Sequence, residues 1–292
     1  MEEFPHGIAL AWSFPPVPAV GILLTLVIYL RGWKLLQRTR SAELPSWRAL
    51  SFVCGMISLW LALASPIDAL DDFLLSAHML QHFILMSVAP PLLVLGAPAV
   101  PMLRGLPRRL ITGPLRPVFA SRFLHRAAHF ITRPVVAWLL MNLSYVGWHF
   151  PRAFELTLHS EVWHSTEHMT FLLTSILFWW IVISPWPHRT AGSRWAVIPF
   201  LLTADLVNTA LSATLAFSGR VLYYSYGAAE RVSSLTPLQD QVLAGSEMWV
   251  LNSSLFLIPV VVIVIRLLSP QNLHRSPATL SSTNEKAAST HV

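Results

Sequence analysis

The sequence predicts an all-α integral membrane protein, a seven-transmembrane helix bundle with its N-terminus outside and its C-terminus cytoplasmic. Three observations predict it. Of 292 residues, 54% are hydrophobic and only 12% charged, about half the charged share of a soluble domain. Apolar runs near the length that crosses a bilayer recur along the whole chain. Lys and Arg gather on alternate connections between those runs, as the positive-inside rule requires.

Taken in order, the spans fall at about 15–32, 48–64, 73–96, 134–149, 164–183, 195–217 and 241–267. RGWKLLQRTRSAELPSWR separates the first two, and SPIDALDD separates the second from the third. A Pro- and Arg-rich stretch from Gly96 to Arg133 follows the third, and SPWPHRTAGSR divides the fifth from the sixth. Residues 1–268 read as one membrane domain. Residues 269–292, polar and rich in Ser and Thr, read as a disordered cytoplasmic tail. The start, MEEFPHGIAL, is acidic and lacks the basic region of a cleavable signal peptide, so the first helix is expected to stay.

Charge gives the sidedness. Seventeen basic residues fall on one side, among them Arg31, Lys34, Arg38, Arg104, Arg108, Arg109, Arg189, Arg194, Arg275 and Lys286; only Arg152, Arg220 and Arg231 fall on the other. The acids Glu2, Glu3, Asp68, Asp71, Asp72, Glu155, Glu161, Glu230 and Asp240 all sort to the outer face. The net charge of +6 is therefore spread by loop, which argues against a nucleic-acid partner and for the lipid bilayer. The single cysteine, Cys54, provides no disulfide framework and reads as packing in the inner half of the second span. No P-loop or dinucleotide fingerprint occurs.

Against this apolar background two short stretches stand out, HMLQH (His78–His82) and HSTEH (His164–His168). The third span enters from outside, so His78 lies roughly 8 Å below its start at 1.5 Å per residue. His82 and Met86 follow one turn deeper each, on the same face. His168, beside Met169, lies a turn below His164; His149 closes the fourth span and His159 lies in the outer connection. The seventh span carries Glu247 and Met248 at a comparable depth. Imidazoles four apart on a helix can share a metal ion, and ionisable groups within a bundle are functional candidates. Imidazole suits copper, zinc and iron, and thioether favours Cu(I). The candidate metal ligands are thus His78, His82, His164 and His168, with His149, Met86 and Glu247. The bland alternative is hydrogen bonding between helices, with Met79, Met169 and Met248 as packing. Imidazole must be neutral to bind, so occupancy should fall below about pH 6.

A third pair, His125/His129 in SRFLHRAAHF, is a control. Arg122 and Arg126 are interleaved with it and would repel a metal ion, so it reads as an interfacial helix. Asp205, Asn208 and Asn142, mid-span, either line an ion path or hold helices together. Asp68 either caps the third span or holds the outer loop. Trp60, Trp148, Trp163 and Trp249 mark the outer interface, and Trp33, Trp47, Trp186 and Trp195 the inner one.

The series SPID, SAHMLQHFILMSVAPPLLVLGAP, WHFP, HSTEHMTFLLTSILFWWIVISPWP, LYYSYG and DQVLAGSEMW resembles the CtaG family, the caa(3)-type cytochrome c oxidase assembly factors, from about Trp47 to Arg266. The resemblance implies a seven-spanning protein of a bacterial cytoplasmic (plasma) membrane, not an enzyme, that assembles a respiratory haem–copper oxidase and supplies it with copper. It carries His78, His82, His164, His168 and His149 over as candidate ligands. One family pattern, DQxxGG, has a second glycine where this chain has Ala244-Gly245. The implied partners are cytochrome c oxidase subunits and a periplasmic copper carrier. Three other functions compete. HSTEH fits the H-x-x-E-H pattern of an intramembrane zinc metallohydrolase with Glu167 as general base. Paired histidines could hold a haem b. A metal-free scaffold needs no ligands at all.

Overall fold

A computed structural model describes residues 12–185, 194–229 and 232–269. The predicted tail beyond 269, Trp186, Arg189, Glu230, Arg231 and the acidic N-terminal residues lie outside them. Every regular element among the described residues is helical. Six helices there are long and apolar enough to cross a membrane: Pro16–Arg40, Ser46–Leu70, Leu75–Leu95, Glu161–Ile183, Val197–Phe217 and Pro237–Leu268. By helix length and composition this is a multi-pass membrane protein. The fourth predicted span is an apolar helix of 15 residues, Pro134–Trp148, short of the about 20 that cross a bilayer.

The first helix, α1 (Pro16–Arg40), runs past its predicted end near 32. RGWKLLQRTR continues it because Tyr29, Gly32 and Leu36 keep one buried face at helical spacing. Gly32 packs directly on α6 (Ala99–Gly105): a Cβ there would collide with the Pro101 carbonyl, and one on Gly105 with that of Ile28. The second span is α2 (Ser46–Ala64), broken at Ser65, whose hydroxyl accepts from the Ile67 N–H (3.2 Å) and starts α3 (Pro66–Leu70).

The third span has two α-helical halves, α4 (Leu75–Phe83) and α5 (Ala89–Leu95), joined by a π turn at Ile84–Val88. Sequence supplies the cause. Pro90 and Pro91 have no N–H to return to the carbonyls of Met86 and Ser87. The Ala89 N–H reaches back to Ile84 instead, and the Trp179 indole N–H satisfies the Met86 carbonyl (3.1 Å).

The basic connection folds as α6 and three further short helices: α7 (Arg108–Thr112), α8 (Arg116–Ala120) and α9 (Arg122–Ile131). The last carries His125 and His129 and buries none of its residues. After α10 (Pro134–Trp148) come α11 (Pro151–Leu158), α12 (Glu161–Ile183), α13 (Val197–Phe217), α14 (Tyr224–Ala228) and α15 (Pro237–Leu268). The last begins earlier than the predicted 241, because Thr236 and Gln239 form a capping box around Pro237.

Two cores meet at the third span. Met79 and Met86 pack with Phe171 of α12, Leu201 of α13 and Met248 of α15. Leu85 and Ala89, on the other side, pack with Tyr29 of α1 and Phe52 of α2. Helices α13 and α15 approach closely at Gly245, where a Cβ would lie 2.7 Å from the Ala216 nitrogen. Leu23, Val135, Leu206 and Val250 face outward, as lipid contact requires.

Candidate metal centre

The upper turns of α4 place His78 and His82 inward, both buried. Gln81, between them in HMLQH, points the other way: its amide donates to the Ala62 carbonyl (2.8 Å) and to Asp68 (3.0 Å). Asp68 also accepts from the Ser13 hydroxyl (3.2 Å), so it ties α3 to the segment before α1 and does not cap the third span. Asp240 of α15 closes the start of α4, its carboxylate accepting from the backbone of Leu75 (2.6 Å) and Ser76 (3.3 Å) and from the Ser76 hydroxyl (2.5 Å).

Facing α4, α12 brings His164, Glu167 and His168. The His78 Nε2 lies 3.8 Å and the His82 Nε2 3.7 Å from the two oxygens of Glu167, and these side chains are almost wholly inaccessible. The His164 Nε2 lies 3.7 Å from Asp71. Ring centroids of His78 and His82 are 4.3 Å apart, those of His164 and His168 4.2 Å, and those of His82 and His168 5.5 Å. Two donor sets result, each with its atoms within 4.8 Å of one another: Asp71, His78 and His164 at the rim, and His78, His82 and Glu167 below it. Burial, reinforced by Asp68 and Asp72, pushes the Asp71 carboxyl up to about 8.

His149 follows the last turn of α10. Its Nδ1 sits 2.7 Å from the Tyr145 carbonyl. A carbonyl only accepts, so Nδ1 carries the proton and the Nε2 lone pair stays free. The Tyr223 hydroxyl in turn donates to the His149 carbonyl (2.9 Å). Tyr226 donates to the Asp71 carbonyl, and Phe154 stacks on Tyr223 and lies 5.0 Å from the His78 ring. The LYYSYG segment and α11 thus roof His78 and His149 with aromatic rings, while the His164 side chain stays 21% exposed.

The outer histidines named from sequence come together, and His149 stands 6.1 Å from His82 between ring centroids. Met86 lies deeper, in the wall of a cavity below them. Glu247 joins neither donor set; it is half-buried on α15. His159 is exposed and bonds its own helix through Glu155 (2.6 Å). His125 does the same through Ser121 (2.8 Å) on exposed α9. Met169, read as packing, is 53% exposed on the outward face. Asp205 accepts from the Ser253 hydroxyl (2.6 Å) and Asn208 from the Tyr145 hydroxyl (2.8 Å), both joining helices; Asn142 bonds its own helix at Trp138 (2.8 Å).

Two carboxylates were not foreseen in these positions. Asp71 counted only as an outer acid, and Glu167 only as a possible base. The signal for Glu167 is its spacing: three residues after His164, it shares that histidine's face.

The donor set fits a metal ion. Both nitrogens of His78 and His82, both oxygens of Glu167, Nε2 of His164 and His168, and Oδ2 of Asp71 are buried without a hydrogen-bond partner. Buried polar atoms are nearly always paired, and an orphaned cluster of this size is costly. The Thr157 hydroxyl is spent on the Phe154 carbonyl (2.7 Å). The 3.7–3.8 Å separations are too long for hydrogen bonds. They are a few tenths of an ångström wider than the about 3.3 Å that separates ligands about 2.0–2.1 Å from a metal at a tetrahedral angle, a gap that small side-chain rotations would close on an ion.

The model of the cytochrome c oxidase caa3 assembly factor family, CtaG, matches residues 27–269. The chain belongs to the CtaG family. Uncharacterized proteins of Mycobacterium bovis and Mycobacterium tuberculosis are each 28% identical to it over 272 residues, covering 88% of this chain and 39% of the relative. One from Mycobacterium leprae is 24% identical over 206 residues, 65% of this chain and 30% of its own length. This CtaG chain thus spans about two fifths of the longer mycobacterial relatives. No solved structure matches it.

Proposed function

We propose that this CtaG protein binds copper among His78, His82, His164 and His168 and delivers it during assembly of a haem–copper cytochrome c oxidase. It would work in a bacterial cytoplasmic membrane as seven spans, the N-terminus and the histidine cluster at the outer face. Copper would come from a periplasmic carrier and leave to an oxidase subunit. The observation that carries the reading is the Glu167 carboxylate, buried and unpartnered, held 3.7–3.8 Å from the Nε2 atoms of His78 and His82. An anionic oxygen among neutral imidazoles lowers the charge of a bound cation, and the shared His78 lets an ion pass from the rim set to the buried set by exchanging one ligand at a time. Glu167 and Asp71 enter as ligands in place of Glu247.

The test is elemental analysis of detergent-purified protein after anaerobic Cu(I) loading and desalting, beside His78→Ala/His82→Ala. Retained copper that the double substitution removes supports the reading. Equal retention in both, or none in either, sinks it; none in either favours the metal-free scaffold. The position of Glu167 also favours one other reading, a zinc hydrolase in which it activates water. Zinc in the purified protein, with hydrolysis lost in Glu167→Gln, would select that reading.

A further inference from the structure

The cavity below the histidine cluster has no part in the delivery reading. Its walls carry Met79, Met86, Met141 and Met248, from three segments of the bundle, together with His82 and His149. The cavity is narrow, with room for about one water-sized body. That admits one atom-sized guest and no organic ligand.

The wall chemistry narrows the guest further. The amide groups on the same wall are already engaged. Asn208 accepts from Tyr145 and from Asn252 (3.3 Å), and Asn252 accepts from the Ser87 hydroxyl (2.5 Å). The free donors are soft or neutral: thioether sulfur, the Nε2 lone pair of His149, buried and unpartnered, and a ring nitrogen of His82, whose Nε2 faces Glu167 in the outer cluster. His149 is only 4% exposed, and its tautomer is fixed by the Tyr145 carbonyl. Among the described residues no carboxylate lines the cavity. A hard divalent cation would find nothing there to balance its charge, whereas neutral thioether and imidazole donors suit Cu(I).

We infer that the cavity bounded by Met86, Met141, Met248 and His149 is a second, deeper Cu(I) site, joined to the outer cluster through His82. Met86 lies two turns below His78 on the same span, roughly 12 Å along the axis at 1.5 Å per residue. The π turn at Ile84–Val88 contains Met86 and sets its direction. Copper would pass inward by ligand exchange at His82, staying Cu(I) throughout. This rests on the proposed function for the arrival of copper, and the two fail separately.

X-ray absorption of the full chain, loaded anaerobically with Cu(I), tests it. The expected result is about two copper ions per chain with both nitrogen and sulfur neighbours. Met86→Leu/Met141→Leu, which keeps the packing volume, should lose the sulfur signal and one equivalent while the nitrogen-bound copper stays. Selenomethionine-labelled protein provides a reading without mutation, because a copper–selenium shell should replace the copper–sulfur one. Copper surrounded by nitrogen and oxygen alone, unchanged by either substitution or label, overturns the deep site and leaves the outer one standing. Sulfur-bound copper that survives His78→Ala/His164→Ala with the total falling to one equivalent supports both sites, and a total undiminished by that substitution overturns the outer one. No copper at all overturns both.

Discussion

Asp240 caps the amino end of the histidine-bearing helix at Leu75, 165 positions away in the chain (Leu75 N–H to Asp240 carboxylate, 2.6 Å). The final helix thereby fixes the height of His78 and His82 against α12. The cap is both a charge-assisted hydrogen bond and an anion at a helix start. Asp240→Asn should cost about 1–3 kcal/mol of stability, read as an earlier thermal unfolding of the detergent-solubilised protein. It should also weaken copper retention without touching a ligand. Unchanged unfolding would show that the cap holds nothing.

Glu167→Gln keeps the shape of the side chain and removes its charge. If Glu167 is a ligand, Cu(I) affinity measured by competition with a colorimetric chelator should fall on the order of tenfold or more. The apo protein should meanwhile gain stability, since the amide leaves no buried carboxylate among the imidazoles. An affinity equal to wild type would remove Glu167 from the site.

Asp71 makes metal-free stability depend on pH. Its carboxyl is pushed up to about 8 by burial and by Asp68 and Asp72, against about 3.9 in an unfolded chain. Between those values the folded protein holds a proton that the unfolded chain has released. Its contribution to stability therefore falls as pH rises from about 4 to about 8. Asp71→Asn should flatten that part of the unfolding-temperature profile and be the more stable protein near pH 8. Parallel profiles would contradict the raised value.

Gly245→Ala should be harmful, and Ala244→Gly mild. The added Cβ at 245 would sit 2.7 Å from the Ala216 nitrogen and 2.9 Å from the Ser212 carbonyl, both backbone atoms that cannot swing aside. Forcing α13 and α15 apart should cost about 1–3 kcal/mol, against about 0.5–1 kcal/mol for a glycine at 244. Thermal unfolding of the two variants decides it.

Much of this architecture is legible in the sequence, and the legible part has a common physical basis. Spacing along one helix puts His78 with His82 and His164 with His168. Apolar run length marks six of the spans. Relations between distant segments are a different matter. Nothing local tells that LYYSYG folds over the histidines, or that Asp71 reaches His164. Glu167 turns about 100° away from His168 on the helix, and that same turn aims it at α4. The end of α1 was obscured because Arg31, Lys34 and Arg38 read as a loop, while the buried face through Leu36 continued the helix. The proline pair 90–91 was a visible sign of irregularity in the third span, though not of its form.

The π turn has a consequence for inheritance. One extra residue in a helical turn advances everything beyond it by about 100° around the axis. The two halves of the third span are thus out of phase by one step, the first packed on α15 with its histidines turned to Glu167 of α12, the second packed on α2 and α12. A single-residue deletion between Ile84 and Val88 would leave the span apolar and long enough to cross, and would look harmless in a hydropathy plot. It would nonetheless turn the histidines or the lower packing face toward the wrong neighbour. Two prolines that never meet the metal therefore set the angular register of the residues that would.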